Sequence, residues 1–105
     1  MKRVILESPY DGDIERNINY ARKCVRHSLS LGESPIASHL LYTQDGILDD
    51  AVPDERMRGI NAGLAWKEVA DLQVFYIDYG YSNGMKFALE YAKEHKIQTE
   101  ERLIL

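Results

Sequence analysis

The sequence predicts one α/β domain over residues 1–105, a three-layer sandwich with a mainly parallel sheet of four or five strands between helices. Three observations predict it. Short apolar runs alternate with segments of helical periodicity, the pattern of strands joined by right-handed crossovers. The runs open into polar loops rich in Gly, Pro and Asp, which interrupt regular structure. The chain has 105 residues, 45% hydrophobic and 29% charged, which suits one modest core rather than disorder.

Each element follows from local chemistry. Val4-Ile5-Leu6 is a buried strand that runs into the turn Ser8-Pro9-Tyr10-Asp11-Gly12-Asp13. Asp13 caps the next helix by accepting from the free N–H groups of its first turn. Ile14, Ile18, Ala21, Val25 and Leu29 recur at steps of three and four, predicting the buried face of that helix, with Gly32 as its stop. Pro35-Ile36-Ala37-Ser38 reads as a second strand ending at His39. Residues 43–52 read as a loop. Pro53 fits the first position of a second helix, where its missing N–H leaves nothing unpaired. On that helix Met57, Ile60, Leu64 and Ala65 form an apolar stripe. The strongest strand is Leu72-Gln73-Val74-Phe75-Tyr76-Ile77, rich in branched and aromatic side chains. A loop over 78–84 leads to a third helix carrying Met85, Ala88, Leu89 and Ala92 and ending near His95, and the tail supplies a last strand around Arg102-Leu103-Ile104.

Charge and cysteine content narrow the function classes. A net charge of −4 disfavours nucleic-acid binding, which depends on clustered Lys and Arg. Cys24 is alone, so no intrachain disulfide forms, and no cluster has zinc-ligand spacing; no metal or cofactor is expected. The opening residues are charged too early for a signal peptide and no apolar run reaches membrane-spanning length, so a cytoplasmic protein with no membrane partner is the expectation.

In parallel sheets ligands bind beyond the carboxyl ends of the strands. Three polar loops emerge there, residues 8–13, 39–50 and 78–84. Glu7 and Asp78 stand at strand ends as candidate catalytic carboxylates; the bland readings are an exposed Glu7 and an Asp78 that caps a turn. Ser82 and Gly84 precede a helix whose N–H groups suit an anion, or they serve only as cap and spacer. His39 suits acid–base or phosphate contact, or is structural. Arg56 suits a phosphate or an acidic neighbour such as Asp50 or Glu55. His27 and His95 read as solvated, and Cys24 as a small buried residue.

The same loops carry a recognisable pattern. Ser8-Pro9-Tyr10-Asp11-Gly12-Asp13 with Asn17 and Ala21-Arg22, then Pro35-Ile36-Ala37-Ser38-His39-Leu40, then Asp50, Pro53, Glu55-Arg56 and Gly59, then Ala70-Asp71 and Ser82-Asn83-Gly84-Met85, together resemble small relatives of nucleoside 2-deoxyribosyltransferases. The resemblance implies a flavodoxin-like (Rossmann-like) fold and a pocket for a deoxyribonucleoside or its monophosphate. It implies substrate-binding roles for Ser8, Tyr10, Asp11, Gly12, Asn17, His39, Arg56, Ser82, Gly84 and Met85, and a homo-oligomer whose neighbouring subunit completes the pocket. In those enzymes a glutamate attacks the anomeric carbon, the carboxylate logic of retaining glycoside chemistry. That glutamate lies four residues after the glycine of the Ser-x-Gly-Met segment, and the corresponding position here is Ala88. Glu90 is two residues on and turned by roughly 200°. Two functions therefore stand: an N-glycosidase or deoxyribosyltransferase (hydrolase or transferase) using another carboxylate, and a catalytically silent nucleotide-binding sensor, sequestering factor or interaction protein. Ala88 is expected to form an apolar wall of the cleft.

Overall fold

The computed structural model describes residues 1–105. Its elements are β1 (Arg3–Glu7), α1 (Ile14–Ser30), β2 (Ser34–Ile36), a 3-10 turn (Ser38–Leu40), α2 (Pro53–Lys67), β3 (Leu72–Tyr76), α3 (Asn83–Glu94) and β4 (Thr99–Arg102). All strand pairs are parallel, in the order β2-β1-β3-β4, so the sheet has four strands.

Strand alternation sorts the core into two layers. On one face Val4, Leu6, Leu72, Val74 and Tyr76 pack against Tyr20 and Cys24 of α1. Phe75, on the other, packs against Met85 and Ala88 of α3. β3, buried along its whole length, is an interior strand, as its branched and aromatic composition announces.

Four expectations need correction. The buried face of α1 is Asn17, Tyr20, Ala21, Cys24 and Ser28, whereas Ile14 and Leu29 lie exposed. The helix is rotated because its inner face carries polar groups with partners: the Asn17 amide donates to the carbonyls of Tyr10 and Asp11 at 2.8 and 3.1 Å, and the Ser28 hydroxyl donates to Glu33 at 2.8 Å. The second strand stops at Ile36, and Ser38 and His39 belong to the 3-10 turn. The last strand is Thr99–Arg102 rather than a run centred on Leu103; Ile104 instead donates its N–H to Asp78.

α2 departs most from its expected stripe. Met57 and Ile60 are exposed, and the only fully buried residue of the helix is Lys67. The close approach is made by glycines: a Cβ at Gly59 would sit 3.3 Å from Leu48, and one at Gly63 would lie 3.7 Å from Ser38. Small residues seat the helix on residues 38–48 and leave its larger apolar side chains outward. No helix is long and apolar enough to cross a membrane.

Candidate functional site at the carboxyl end of the sheet

The connection from β1 to β2 leaves to one side and that from β2 to β3 returns to the other, so the topology reverses at β1 and β3, where ligands of such sheets bind. The loop after β1 is built to hold its shape there. Gly12 takes φ +96°, a left-handed conformation that glycine adopts without strain. Asp13 caps α1, accepting from the Arg16 N–H at 3.1 Å. Asn17, fully buried, ties the loop down from beneath.

Specific contacts fix each of the three loops. Tyr10 stacks on His39 with ring centroids 5.0 Å apart and an interplanar angle of 21°, joining the first loop to the 3-10 turn. The Arg56 guanidinium, on the first turns of α2, lies 3.9 Å from Asp11; its acidic neighbour is thus Asp11 rather than Asp50 or Glu55. The Arg16 guanidinium covers the Tyr79 ring at 4.1 Å, tying the loop after β3 to the start of α1. Ser8 is 1% exposed and its Oγ has no hydrogen-bond partner, an unusual state for a buried hydroxyl. Burial holds the His39 imidazole below its ordinary titration range, opposed by the carboxylates of Glu7, Asp50 and Asp11 and by the backbone of Ser8. A neutral histidine with three carboxylates in range can exchange a proton or accept from a hydroxyl.

The two carboxylate candidates diverge. Partial burial pushes the Asp78 carboxyl up, but hydrogen bonds from the Tyr20 hydroxyl and the N–H groups of Leu105, Ile104 and its own residue hold it below its ordinary value. The Tyr20 hydroxyl is 2.5 Å away and the Ile104 and Leu105 N–H groups are 3.0 and 2.9 Å away. Asp78 is therefore committed to anchoring the tail. Glu7 is not exposed: its side chain is 12% accessible, 3.3 Å from the Lys67 ammonium, and its Oε1 also accepts from Gln73 at 3.1 Å.

On the third loop, Ser82 caps α3, accepting from the Met85 N–H at 3.2 Å. Gly84 is exposed, and a Cβ there would meet only the Ser82 hydroxyl at 3.9 Å. Met85 and Ala88 both lie in the core, 1% and 3% exposed; neither forms an open wall. Glu90 is exposed and pairs with Lys93. His27 is not simply solvated, since its Nδ1 lies 2.9 Å from the Tyr76 hydroxyl. His95 is exposed and stacks on Tyr91, and Cys24 is fully buried.

Sequence reasoning missed Lys67 and Gln73. A lysine on an apolar helix and a glutamine inside the best strand were the available signals. A surface depression of about 510 Å³ lies by the last turns of α2 and α3, lined by Lys67, Asp71, Tyr91 and His95 among others, and does not coincide with the Ser8, Tyr10 and His39 cluster.

A four-stranded all-parallel sheet in this order, flanked by three helices, defines a flavodoxin-like α/β protein. The chain belongs to the family described as a domain of unknown function (DUF7768), whose match spans residues 2–102. Among solved structures it is similar to a 2-deoxyribosyltransferase from the psychrotolerant bacterium Bacillus psychrosaccharolyticus, with a TM-score of 0.75 and 14% identity over 96% of this chain and 72% of that one. No curated protein sequence matches. At that identity the likeness concerns the fold.

Proposed function

We propose that the protein binds a nucleoside or nucleoside monophosphate at the carboxyl end of its sheet and acts on the N-glycosidic bond through Glu7. The observation that carries this reading is the placement of Glu7: a carboxylate with one oxygen held by Lys67 and Gln73, within electrostatic range of His39. The Gln73 amide also reaches the Ala88 carbonyl at 3.5 Å. Gln73 thus links Glu7 to the backbone of Ala88, the position to which the resemblance assigns the nucleophile, and this supports the reading. Tyr10 and His39 offer a stacked aromatic surface for a base, Asp11 an acceptor for a sugar hydroxyl, and the start of α3 at Ser82 and Gly84 a set of N–H donors for a phosphate.

A panel of deoxynucleoside monophosphates, followed by chromatography for free base and by calorimetry, tests this. The parent is expected to bind and release base. Glu7→Gln should bind without release. Gly84→Val should fold, given the open space at that Cβ, yet lose most of its affinity for the monophosphate by filling the anion position. Unaltered nucleotide binding by Gly84→Val sinks the phosphate assignment. The buried Ala88 favours a second reading, a silent binding protein; binding by the parent without base release is its signature.

The resemblance also implies a homo-oligomer, and α2 offers a surface on which a second copy would sit. Met57, Ile60 and Trp66 of α2 and Val69 just beyond it are all exposed, an apolar surface that a partner subunit would cover. Light scattering should show a species larger than 12.1 kDa; a monomer at working concentration refutes it.

A further inference from the structure

We propose that the depression between the second half of α1 and the tail after β4 is a second binding site, which takes a small organic phosphate on Lys23, Arg26 and the Nε2–H of His27. It shares no residue with the Ser8, Tyr10 and His39 cluster, and neither reading needs the other.

The depression measures about 310 Å³ and is lined by Lys23, Arg26, His27, Ser30, Ile104 and Leu105. Steps of three and four place Lys23, Arg26 and His27 on one face of the helix. The chain has a net charge of −4, yet no carboxylate lines this surface. Lys23 and Arg26 take part in none of the ion pairs of the structure. Glu33 turns instead to Arg102, and Asp78 to Tyr20 and the tail N–H groups. The Ser30 hydroxyl is committed to the His27 carbonyl at 2.6 Å. The remaining wall is Ile104, half-buried against the core, and Leu105, 68% exposed. Cations and an apolar wall together suit an anion that carries an apolar body.

A buried chain of hydrogen bonds sets the histidine. Tyr76 is fully buried, and a buried hydroxyl needs an acceptor for its proton. The Arg102 guanidinium, 3.1 Å from the Tyr76 oxygen, can only donate to it. The acceptor in reach is Nδ1 of His27, at 2.9 Å. Burial raises the Tyr76 phenol above its ordinary value, partly opposed by Arg102, so the proton stays on the phenol. Nδ1 therefore offers its lone pair, and the proton of the neutral ring sits on Nε2, at the edge turned away from Tyr76. Cations in the last turns of a helix also offset its carbonyl end, but that service does not require a histidine held in one tautomer beside them. Three donors on one face match the several oxygens of a phosphate, whose charge strengthens each bond.

The test is NMR titration of the full chain carrying ¹⁵N-labelled histidine, with phenyl phosphate and inorganic phosphate as probes. It is run at about pH 8, where free imidazole is neutral, and loss of a signal in His27→Gln assigns it. Before any probe is added, His27 should hold its proton on Nε2. Phenyl phosphate should then shift that nitrogen saturably and bind more tightly than inorganic phosphate. Lys23→Ala and Arg26→Ala, both at exposed positions, should each weaken binding at least about tenfold. Gly84→Val should bind phenyl phosphate here as the parent does, which separates this site from the phosphate position at α3. A proton on Nδ1 overturns the proposal, as does equal affinity for the two probes. So does a shift that never saturates, the mark of an adventitious ion only. Unchanged affinity in the two alanine variants, or loss of the shift in Gly84→Val, is equally fatal to it.

Discussion

Replacing Glu33 with alanine should cost about 3–5 kcal/mol of folding stability, the usual penalty for stranding one partner of a buried ion pair. Glu33 and Arg102 are 11% and 8% exposed at their side chains and meet at 2.7 Å. The contact is bidentate, with a second bond of 2.8 Å, and Arg102 also donates to the Tyr76 hydroxyl at 3.1 Å. Without Glu33 the guanidinium keeps the neutral Tyr76 hydroxyl and, as its one charged partner, Glu100, whose side chain is 52% exposed. A domain with a total stability of about 5–15 kcal/mol loses a large share of it. The double variant Glu33→Leu with Arg102→Met should recover most of the loss, because it strands no charge. Urea denaturation of the three proteins measures both effects; a single variant within about 1 kcal/mol of the parent contradicts the assignment. Hydrogen bonding to Arg102 holds the Glu33 carboxyl below its ordinary value of 4.5. Its contribution is therefore complete above that pH and is lost as pH falls through the lower folded value.

Introducing glutamate at position 88 should destabilise the protein by a similar amount, about 3–5 kcal/mol, and should not add base release. Ala88 is 3% exposed and packs with Phe75 and Met85. A carboxylate there loses its hydration with no free donor to replace it. Lys67 and Gln73 already serve Glu7, and a second carboxylate beside that group is repelled by it. The same denaturation series, run with chromatography for free base, checks the outcome. A stable Ala88→Glu protein with raised base release would show that the position opens to the ligand after all.

The contrast between what the residues revealed and what they concealed has physical causes. β1 and β3 were legible because buried parallel strands read as continuous apolar runs, and the starts of α1 and α3 because Asp13 and Ser82 are capping residues. The orientation of α1 was not, since Asn17, Tyr20 and Ser28 look solvated until their partners in distant segments are known. The stripe of α2 misled because Gly59 and Gly63, which carry no hydrophobic signal, make its inner contact. At the site, the meeting of Tyr10 with His39 followed from strand order. The pairing of Glu7 with Lys67 did not, because 60 residues separate them and neither charge advertises burial in a sequence. Asp78 stood at the right strand end yet serves the tail.

The two outermost strands of the sheet carry a consequence for how copies of this fold can meet. β2 has three residues, one of them Pro35, which lacks an N–H to donate. β4 presents Glu100 and Glu101, so two such strands brought side by side would crowd carboxylates against each other. Both borders are thereby closed to the pairing by which exposed strands add a neighbour and grow into stacks. The protein can leave Met57, Ile60 and Trp66 open on a helix without inviting fibrous assembly, because a helical face buries a partner without lending it a template.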